Sequence, residues 1–455
     1  MKKVLFLSLL VFLFVSCNDV KKADALREEN KFEEAFELYK KAADNGDAYA
    51  QWRVANAFLS GDGIEVDTIQ YKEYLEKAAK GGCTEAIYER ATEIFFGRYG
   101  FKKNEADAKK IITDLVSKTD NAFVLSQYAM VLLSENGKIF DQDKDKALSI
   151  LNKIDDIEDP QYNYAMGGVY FFGAGDIEIN YKKAIEYFEK AYKKGHKNSA
   201  RILGSLYFNG NDEIEKDVPK SIEWFKNGSD RNLTLCMNSL AHIYLSEDSA
   251  LQKFHNPQKG VELIKKAMKH LDGDAYANMG WLYQEGKYME KDDQKALELY
   301  KKATDLSSSG GAFQLGQCYI EGIGCEKNYE EAVKAWEKAV ELGNGSAANN
   351  LFCYYYGTAY DKKKKDKEKA KKYLIKGAEL GDSYAQMNLA WFYFNGSDIL
   401  KKNDNQGFIY AKLAADQGQA DAIEMVANCY ERGIGTNRDP QKAEEYRNKL
   451  KSVKK

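Results

Sequence analysis

The sequence predicts an all-α fold, an α/α superhelical solenoid of about eleven two-helix repeats of 36–39 residues. Two out-of-phase ladders of small residues recur at that period, and an aromatic stands at a fixed offset from the first ladder. Only four prolines in 455 residues, with 44% hydrophobic content, agree with a long helix-rich chain. Lys plus Arg (67) nearly balance Asp plus Glu (70), so no single-sign field favours nucleic acid or general binding to anionic surfaces.

From the amino terminus, Lys2 and Lys3 precede Val4 to Val15, a twelve-residue run that is apolar except for Ser8. The run is too short to cross a bilayer as a helix and has no polar face, so it reads as a secretory h-region. Val15-Ser16-Cys17 follows it and resembles a bacterial lipoprotein signal, with Phe14 where leucine is usual. The resemblance implies that residues 1–16 are removed, that Cys17 is the lipid attachment site, and that the protein is exported and anchored to a membrane through its acyl chains. Residues 17–30 are then the lipidated Cys with a polar tether or N-terminal cap. The segment Asn18-Asp19-Val20-Lys21-Lys22 lacks the dense acidic run associated with surface display. The expected place is therefore the outer membrane, facing the periplasm.

Residues 31–451 carry the repeats, with 452–455 as a tail. The first ladder is Ala55, Ala91, Ala129, Gly167, Gly204, Ala241, Gly280, Gly316, Phe352, Ala390 and Ala427. Three residues after each stands a bulky apolar side chain, a Tyr in eight of the eleven. The second ladder runs from Ala35 through Ala184, Ala296 and Ala332 to Ala443 at the same period, with further small residues seven positions on, as in Ala332 and Ala339. Seven residues are two helical turns, so such pairs share one face. Each unit is thus two helices that pack closely through small residues, and neither helix buries its face alone. Glycine turns such as Gly322-Ile323-Gly324 and Gly433-Ile434-Gly435 end the first helices.

Leu315-Gly316-x-x-Tyr319-x-x-Gly322-x-Gly324, followed by Glu331-Ala332-x-x-x-Trp336-x-Lys338-Ala339, resembles the Sel-1-like repeat, a relative of the tetratricopeptide repeat. The pattern degenerates near 86–154, where Ile94 and Leu132 replace the aromatic, and Phe352 breaks the small-residue rule. Altered packing or curvature is expected there. The resemblance implies a scaffold that assembles other proteins, and for exported members a contact with envelope or host components.

Catalytic chemistry finds little footing. The Gly-x-Gly turns recur at the repeat period with no preceding strand and no Gly-Lys-Ser/Thr cradle, so they are turns and not nucleotide loops. His196, His242, His255 and His270 fall in different units, and no paired-Cys or HExxH pattern occurs, so no metal and no cofactor is expected. Of the six cysteines besides Cys17, Cys236, Cys318 and Cys429 stand at core positions, so the six read as buried free thiols. A bridge between Cys318 and Cys325 is the sharper alternative, permitted by an oxidising compartment. The basic run Lys362 to Lys365 reads as a solvated turn, or else as a contact for anionic envelope material.

The first helix of each pair lines the inner curve in related solenoids, which places one-after and three-before ladder positions inward. Partner-binding candidates are then Trp52, Tyr88, Tyr164, Arg201, His242, Trp281, Phe313, Gln317 and Trp391. Such aromatics anchor peptides or stack on sugars, and they serve equally to pack one unit on the next. The expected function is non-catalytic: a scaffold binding a protein or peptide partner in the cell envelope. The alternatives are a lipoprotein capturing a glycan or peptide, and an envelope hydrolase, for which no convergent acid, base or nucleophile stands out.

Overall fold

The computed structural model describes residues 18–134, 139–357 and 365–453. The expected leader 1–16, Cys17, Lys362 to Lys364 and residues 454–455 lie outside them. The chain divides into two compact units, 1–270 and 271–455. The described residues of the first hold α1 (18–28), α2 (Phe32–Asp44), α3 (Ala48–Ser60), α4 (Thr68–Lys80), α5 (Thr84–Phe96), α6 (Glu105–Val116) and α7 (Ala122–Leu133). They continue through α8 (Lys144–Leu151), α9 (Pro160–Phe172), α10 (Tyr181–Lys193), α11 (Asn198–Asn209), α12 (Val218–Asp230), α13 (Thr234–Leu245) and α14 (Pro257–Lys269). The second holds α15 (Gly273–Glu285), α16 (Asp293–Asp305), α17 (Ser309–Glu321), α18 (Tyr329–Glu341) and α19 (Gly345–Tyr356). It ends with α20 (Lys367–Glu379), α21 (Ser383–Asn395), α22 (Asp404–Asp416), α23 (Ala420–Arg432) and α24 (Pro440–Val453). The fold is the expected all-α solenoid: each odd-numbered helix from α3 onward packs against the next as an antiparallel pair. No helix among the described residues is long and apolar enough to cross a membrane.

The stretch expected as a polar tether is helical from residue 18. Val20, Ala23 and Leu26 recur every three residues, and Ala23 is fully buried while the other two pack on the core. The segment therefore caps the first pair of helices as part of the fold.

One backbone hydrogen bond recurs in every pair. The residue that caps each second helix, at Asp67, Asn104, Asp143, Asn180, Asp217 and Asn256, donates its N–H to the carbonyl of Phe58, Ile94, Leu132, Tyr170, Tyr207 and Tyr244 respectively, at 2.7–3.0 Å. In the second unit, Asp292, Asn328, Asp366, Asn403 and Asp439 do the same to Tyr283, Tyr319, Tyr355, Tyr393 and Tyr430. The same Asp or Asn accepts from a backbone N–H in the first turn of its helix, as Asp217 does from Lys220 N at 2.9 Å. Orphan groups at the end of one helix and the start of the next are satisfied together. The degenerate repeats keep this link at Ile94 and Leu132, because it needs only backbone.

Side chains then fix how closely the helices approach. Wherever the first ladder carries glycine, the second helix presents an aromatic: Gly167 faces Phe188, Gly204 faces Phe225, Gly280 faces Tyr300 and Gly316 faces Trp336. A methyl added at Gly167, Gly204 or Gly280 would sit 2.5–2.8 Å from a ring atom, and at Gly316 closer still. Where the ladder carries alanine, the equivalent second-helix position is smaller, as in Ala129 with Leu151 or Ala241 with Ile264, all buried. Phe352 reverses the sizes and is matched by the register of Leu374 in the same core cluster. The tyrosines three positions on stack on aromatics of the second helix, Tyr170 on Tyr187 at 5.4 Å and Tyr355 on Tyr373 at 5.8 Å between centroids. Lysines cover the same rings, Lys220 at 4.1 Å from the Tyr207 centroid and Lys295 at 4.4 Å from Tyr283. The second glycine of the Gly-x-Gly turns serves the next contact: Gly324, with φ of +69°, lies against the Asp293 carbonyl at the start of the preceding second helix, leaving no room for a side chain.

Packing changes in the degenerate stretch, as expected from the loss of the aromatics. A buried carboxylate, Glu93, takes the place of apolar filling there, paired bidentately with Arg98 at 2.8 and 3.0 Å and accepting from the Tyr71 hydroxyl at 3.4 Å.

If volume matching sets the helix approach, Gly316→Ala costs about 1–3 kcal/mol of stability. The same substitution in a Trp336→Leu background costs close to nothing. Urea melts of the four chains of that double-mutant cycle measure the coupling, and a cost unchanged by the background removes the account.

Candidate functional site

The first unit winds far enough for its beginning to meet its end. The turn after α3 reaches residues far along the chain: Asp62 pairs with Lys197 at 3.5 Å and accepts from Asn232 at 3.4 Å, and Nδ1 of His270 donates to the Ser60 carbonyl at 2.9 Å. This clasp borders a cavity of about 700 Å³. Its wall is built by α1, α2, the inner faces of α3, α5, α7 and α9, and the turn at 194–198.

Trp52 and Tyr88 stand three before the small ladder residue, and Asn56 and Thr92 one after it; all four line the cavity. Both inward positions of α3 and α5 thus face one space. Trp52 is buried, its indole N–H donating to Glu89 Oε2 at 2.6 Å, with Asn56 (3.3 Å) and the Tyr71 hydroxyl (3.0 Å) completing the carboxylate. Burial pushes Glu89 above the ordinary carboxylate range, opposed by those donors. Tyr49, Tyr39 and Phe123 add aromatic wall.

The cations are placed differently. Arg53 lies over the rings of Trp52 (4.8 Å) and Tyr49 (4.9 Å) and reaches Asp24 Oδ1 at 3.3 Å. That oxygen already accepts from the Tyr39 hydroxyl at 2.5 Å. The Arg53 Nε is buried with no hydrogen-bond partner among the described residues. Arg27, on α1, also lines the cavity, and burial followed by the nearby Arg53 pulls its guanidinium below the usual range. His196 closes the far side, stacked on Tyr164 at 4.0 Å with Nδ1 3.0 Å from Ser199 Oγ. Burial, then Arg27, takes His196 down to about 3.

The remaining sequence candidates are spread out. Tyr164 is half-buried between His196 and Phe188, close enough to Arg201 for the guanidinium to act on its hydroxyl. His242 is exposed on α13. In the second unit, Phe313 packs on the core, and Gln317 accepts from Asn350 at 3.2 Å. Trp281 and Trp391 are 37% and 51% exposed, the first under Lys287 at 5.4 Å and the second edge-on to Phe392. The two tryptophans make no ring contact with each other. Arg27, Arg53, Asp24 and Glu89 were missed by the repeat-register reading, because charged side chains at inward positions look like solvated helix surface in one dimension.

The proposed Cys318 to Cys325 bridge is not formed; both are free thiols. Cys318 is buried in the core beside Tyr300, where burial pushes its thiol up to about 12. Cys325 stays in the turn, its Sγ 3.8 Å from the Cys318 carbonyl. Of the basic run's continuation, Lys367 pairs with Asp398 at 2.6 Å, and Lys369 and Lys372 lie over Tyr355 and Tyr373. Among the described residues, no group of three or more His, Cys, Asp or Glu could hold a metal ion.

The Sel1 repeat pattern matches residues 28–47, 48–83, 160–196, 198–233, 234–269, 273–308, 309–344, 345–382, 383–419 and 420–446. The chain belongs to the Sel1 repeat family. Sel1 repeats are typically non-catalytic and mediate protein–protein interaction. The gap at 84–159 holds the degenerate pairs α5 to α8. Chitin synthase regulatory factor 2 of Schizosaccharomyces pombe (strain 972 / ATCC 24843) is 30% identical over 116 residues, 26% of this chain and 23% of that protein. The chain thus spans about a quarter of that relative's length. Among solved structures, c5321, a protective antigen of uropathogenic Escherichia coli strains with an SLR fold, is 23% identical; the likeness covers 92% of this chain and 90% of that one, with a TM-score of 0.39. A Sel1 repeat protein of Oxalobacter formigenes is 23% identical, covering 52% and 94%, with a TM-score of 0.43.

The unfolded His196 titrates near 6.5 and the folded one near 3, so the unfolded chain binds more protons between those values. Stability from this group is complete above pH 6.5 and falls as the pH drops towards 3. Between neutral pH and pH 5 the loss is about 2 kcal/mol. A His196→Gln chain should lack that component in melts at the two pH values. Parallel pH dependences would show that His196 does not titrate as described.

Proposed function

We propose that this Sel1 repeat protein is a non-catalytic scaffold of the cell envelope that binds a protein or peptide partner on the inner face of its amino-terminal unit. The observation that carries the reading is the cavity walled by Trp52, Tyr49, Tyr88 and Phe123, with polar groups held at fixed positions among the rings. Aromatic side chains supply contact area at low entropic cost, and rigid repeats present them without rearrangement. Placement in the envelope rests on the leader-like residues 1–16 and on Cys17, which would carry the acyl chains and hold the protein at the outer membrane, facing the periplasm.

A second reading, capture of a glycan, is favoured by the exposed rings of Trp281 and Trp391 on first helices of the second unit.

A photo-crosslinking side chain at Gln127, on the cavity wall, should yield a discrete peptide or protein adduct in cells, whereas the same group at exposed Ile409 should not. Adducts only from positions 281 and 391 move the site to the second unit, and no protein adduct from any of them removes the scaffold reading. Separately, Cys17→Ser should shift the protein out of the membrane fraction; retention after an alkaline wash overturns the anchor.

A further inference from the structure

The charges lining the cavity are unequally satisfied. Among its carboxylates, Glu28 is exposed to solvent; Glu89 accepts from Trp52, Asn56 and Tyr71; Glu85 accepts from Asn121 at 2.9 Å; Asp159 caps α9 through Gln161 N and Tyr162 N; and Asp24 and Asp62 are engaged as described above. Lys194 is paired with Glu158 at 2.5 Å, and Lys197 with Asp62. The two arginines stand apart. Arg53 reaches, at 3.3 Å, a carboxylate oxygen of Asp24 shared with two tyrosine hydroxyls and is hydrogen-bonded to Tyr49, while its Nε is unpartnered among the described residues. The Arg27 side chain makes no hydrogen bond or ion pair within 4 Å among the described residues, and the groups acting on it are the like charge of Arg53, the already engaged Asp62, and Tyr39 and Tyr49. A guanidinium offers five donors in a planar fork suited to a carboxylate. Keeping two such groups half-buried and underpaired is costly unless something completes them.

We propose that the cavity binds a peptide segment through one acidic side chain, whose carboxylate is held by Arg27 and Arg53 while its neighbours rest on Trp52, Tyr49 and Phe123. This deepens the peptide-binding reading above and rests on it. The anion is a monoanion: Asp24, Asp62, Glu85 and Glu89 already line the same space, so a second negative charge on the ligand would meet them unpaired. The volume, about 700 Å³, suits a few residues of chain and exceeds what a small free anion needs. The aromatic wall would stay uncovered by such an ion.

The test uses the full chain in detergent and two pools of fluorescent, acetylated and amidated hexapeptides. The pools share apolar flanking residues and differ only in a central Glu or Gln. Anisotropy should show the Glu pool binding at least tenfold more tightly, about 1.4 kcal/mol. Arg27→Gln and Arg53→Gln should each remove that preference, and Arg53→Lys should keep part of it. The unliganded Arg27→Gln chain should melt at or above the wild-type temperature, because it loses an underpaired buried cation; a lower melting point makes Arg27 structural and overturns the proposal. Equal binding of both pools overturns it while leaving the peptide reading intact. Binding of inorganic phosphate without either pool assigns the arginines to a free anion and also overturns it. Failure of both pools together with no adduct from Gln127 removes the peptide reading itself.

Discussion

The recurrent hydrogen bond from the second-helix cap to the last turn of the first helix is the constraint on which the fold depends. It joins two sets of groups that helices leave unsatisfied, the terminal carbonyls of one and the leading N–H groups of the next, within a single turn. Because its donor and acceptor are both backbone, it tolerates Ile94 and Leu132 where most repeats carry Tyr. The side chains then decide separation. Glycine stands opposite Phe188, Phe225, Tyr300 and Trp336, and alanine opposite smaller residues such as Leu151 and Ile264, so that large and small side chains interdigitate between paired helices. A solenoid assembled this way inherits its regularity from many equal local contacts and needs no long-range core.

The site departs from that regularity. In the first unit, the turn at Ser60 to Asp62 meets Lys197, Asn232 and His270, contacts that span well over a hundred residues in a fold otherwise made by neighbours. Around the resulting cavity stand charged groups from successive helices: Glu89 on α5, Arg53 on α3 and Arg27 on α1. His196 stays neutral there because burial and Arg27 both oppose its proton. Burying such groups weakens the unit, and the cost is concentrated on one face of consecutive first helices.

The departures also explain what could be read in advance. The ladders at 36–39 residues, the paired helices and the turn glycines were all legible, since each reports a local requirement repeated many times. A third periodic signal, the Asp or Asn four residues before each second-ladder position from Asp67 to Asp439, was equally present in the sequence and marks the caps. Trp52 and Tyr88 were legible as inward positions, whereas Arg27 and Arg53 were not. Their significance lies in what they lack, a full set of partners, and a partner's absence has no signature along the chain. The helical cap at 18–28 was hidden by its lysines, which face solvent while Val20, Ala23 and Leu26 turn inward.

The sequence by itself determined the class of fold, the repeat length, the pairing of helices and the face each helix buries, because these follow from spacing within forty residues. Only the tertiary structure decided that the first unit closes on itself, that Cys318 and Cys325 remain apart, and that two arginines from α1 and α3 share one cavity. The cysteine and arginine placements follow from local side-chain packing, whereas the closure depends on small rotations between successive pairs, summed over many repeats. No single repeat encodes the sum.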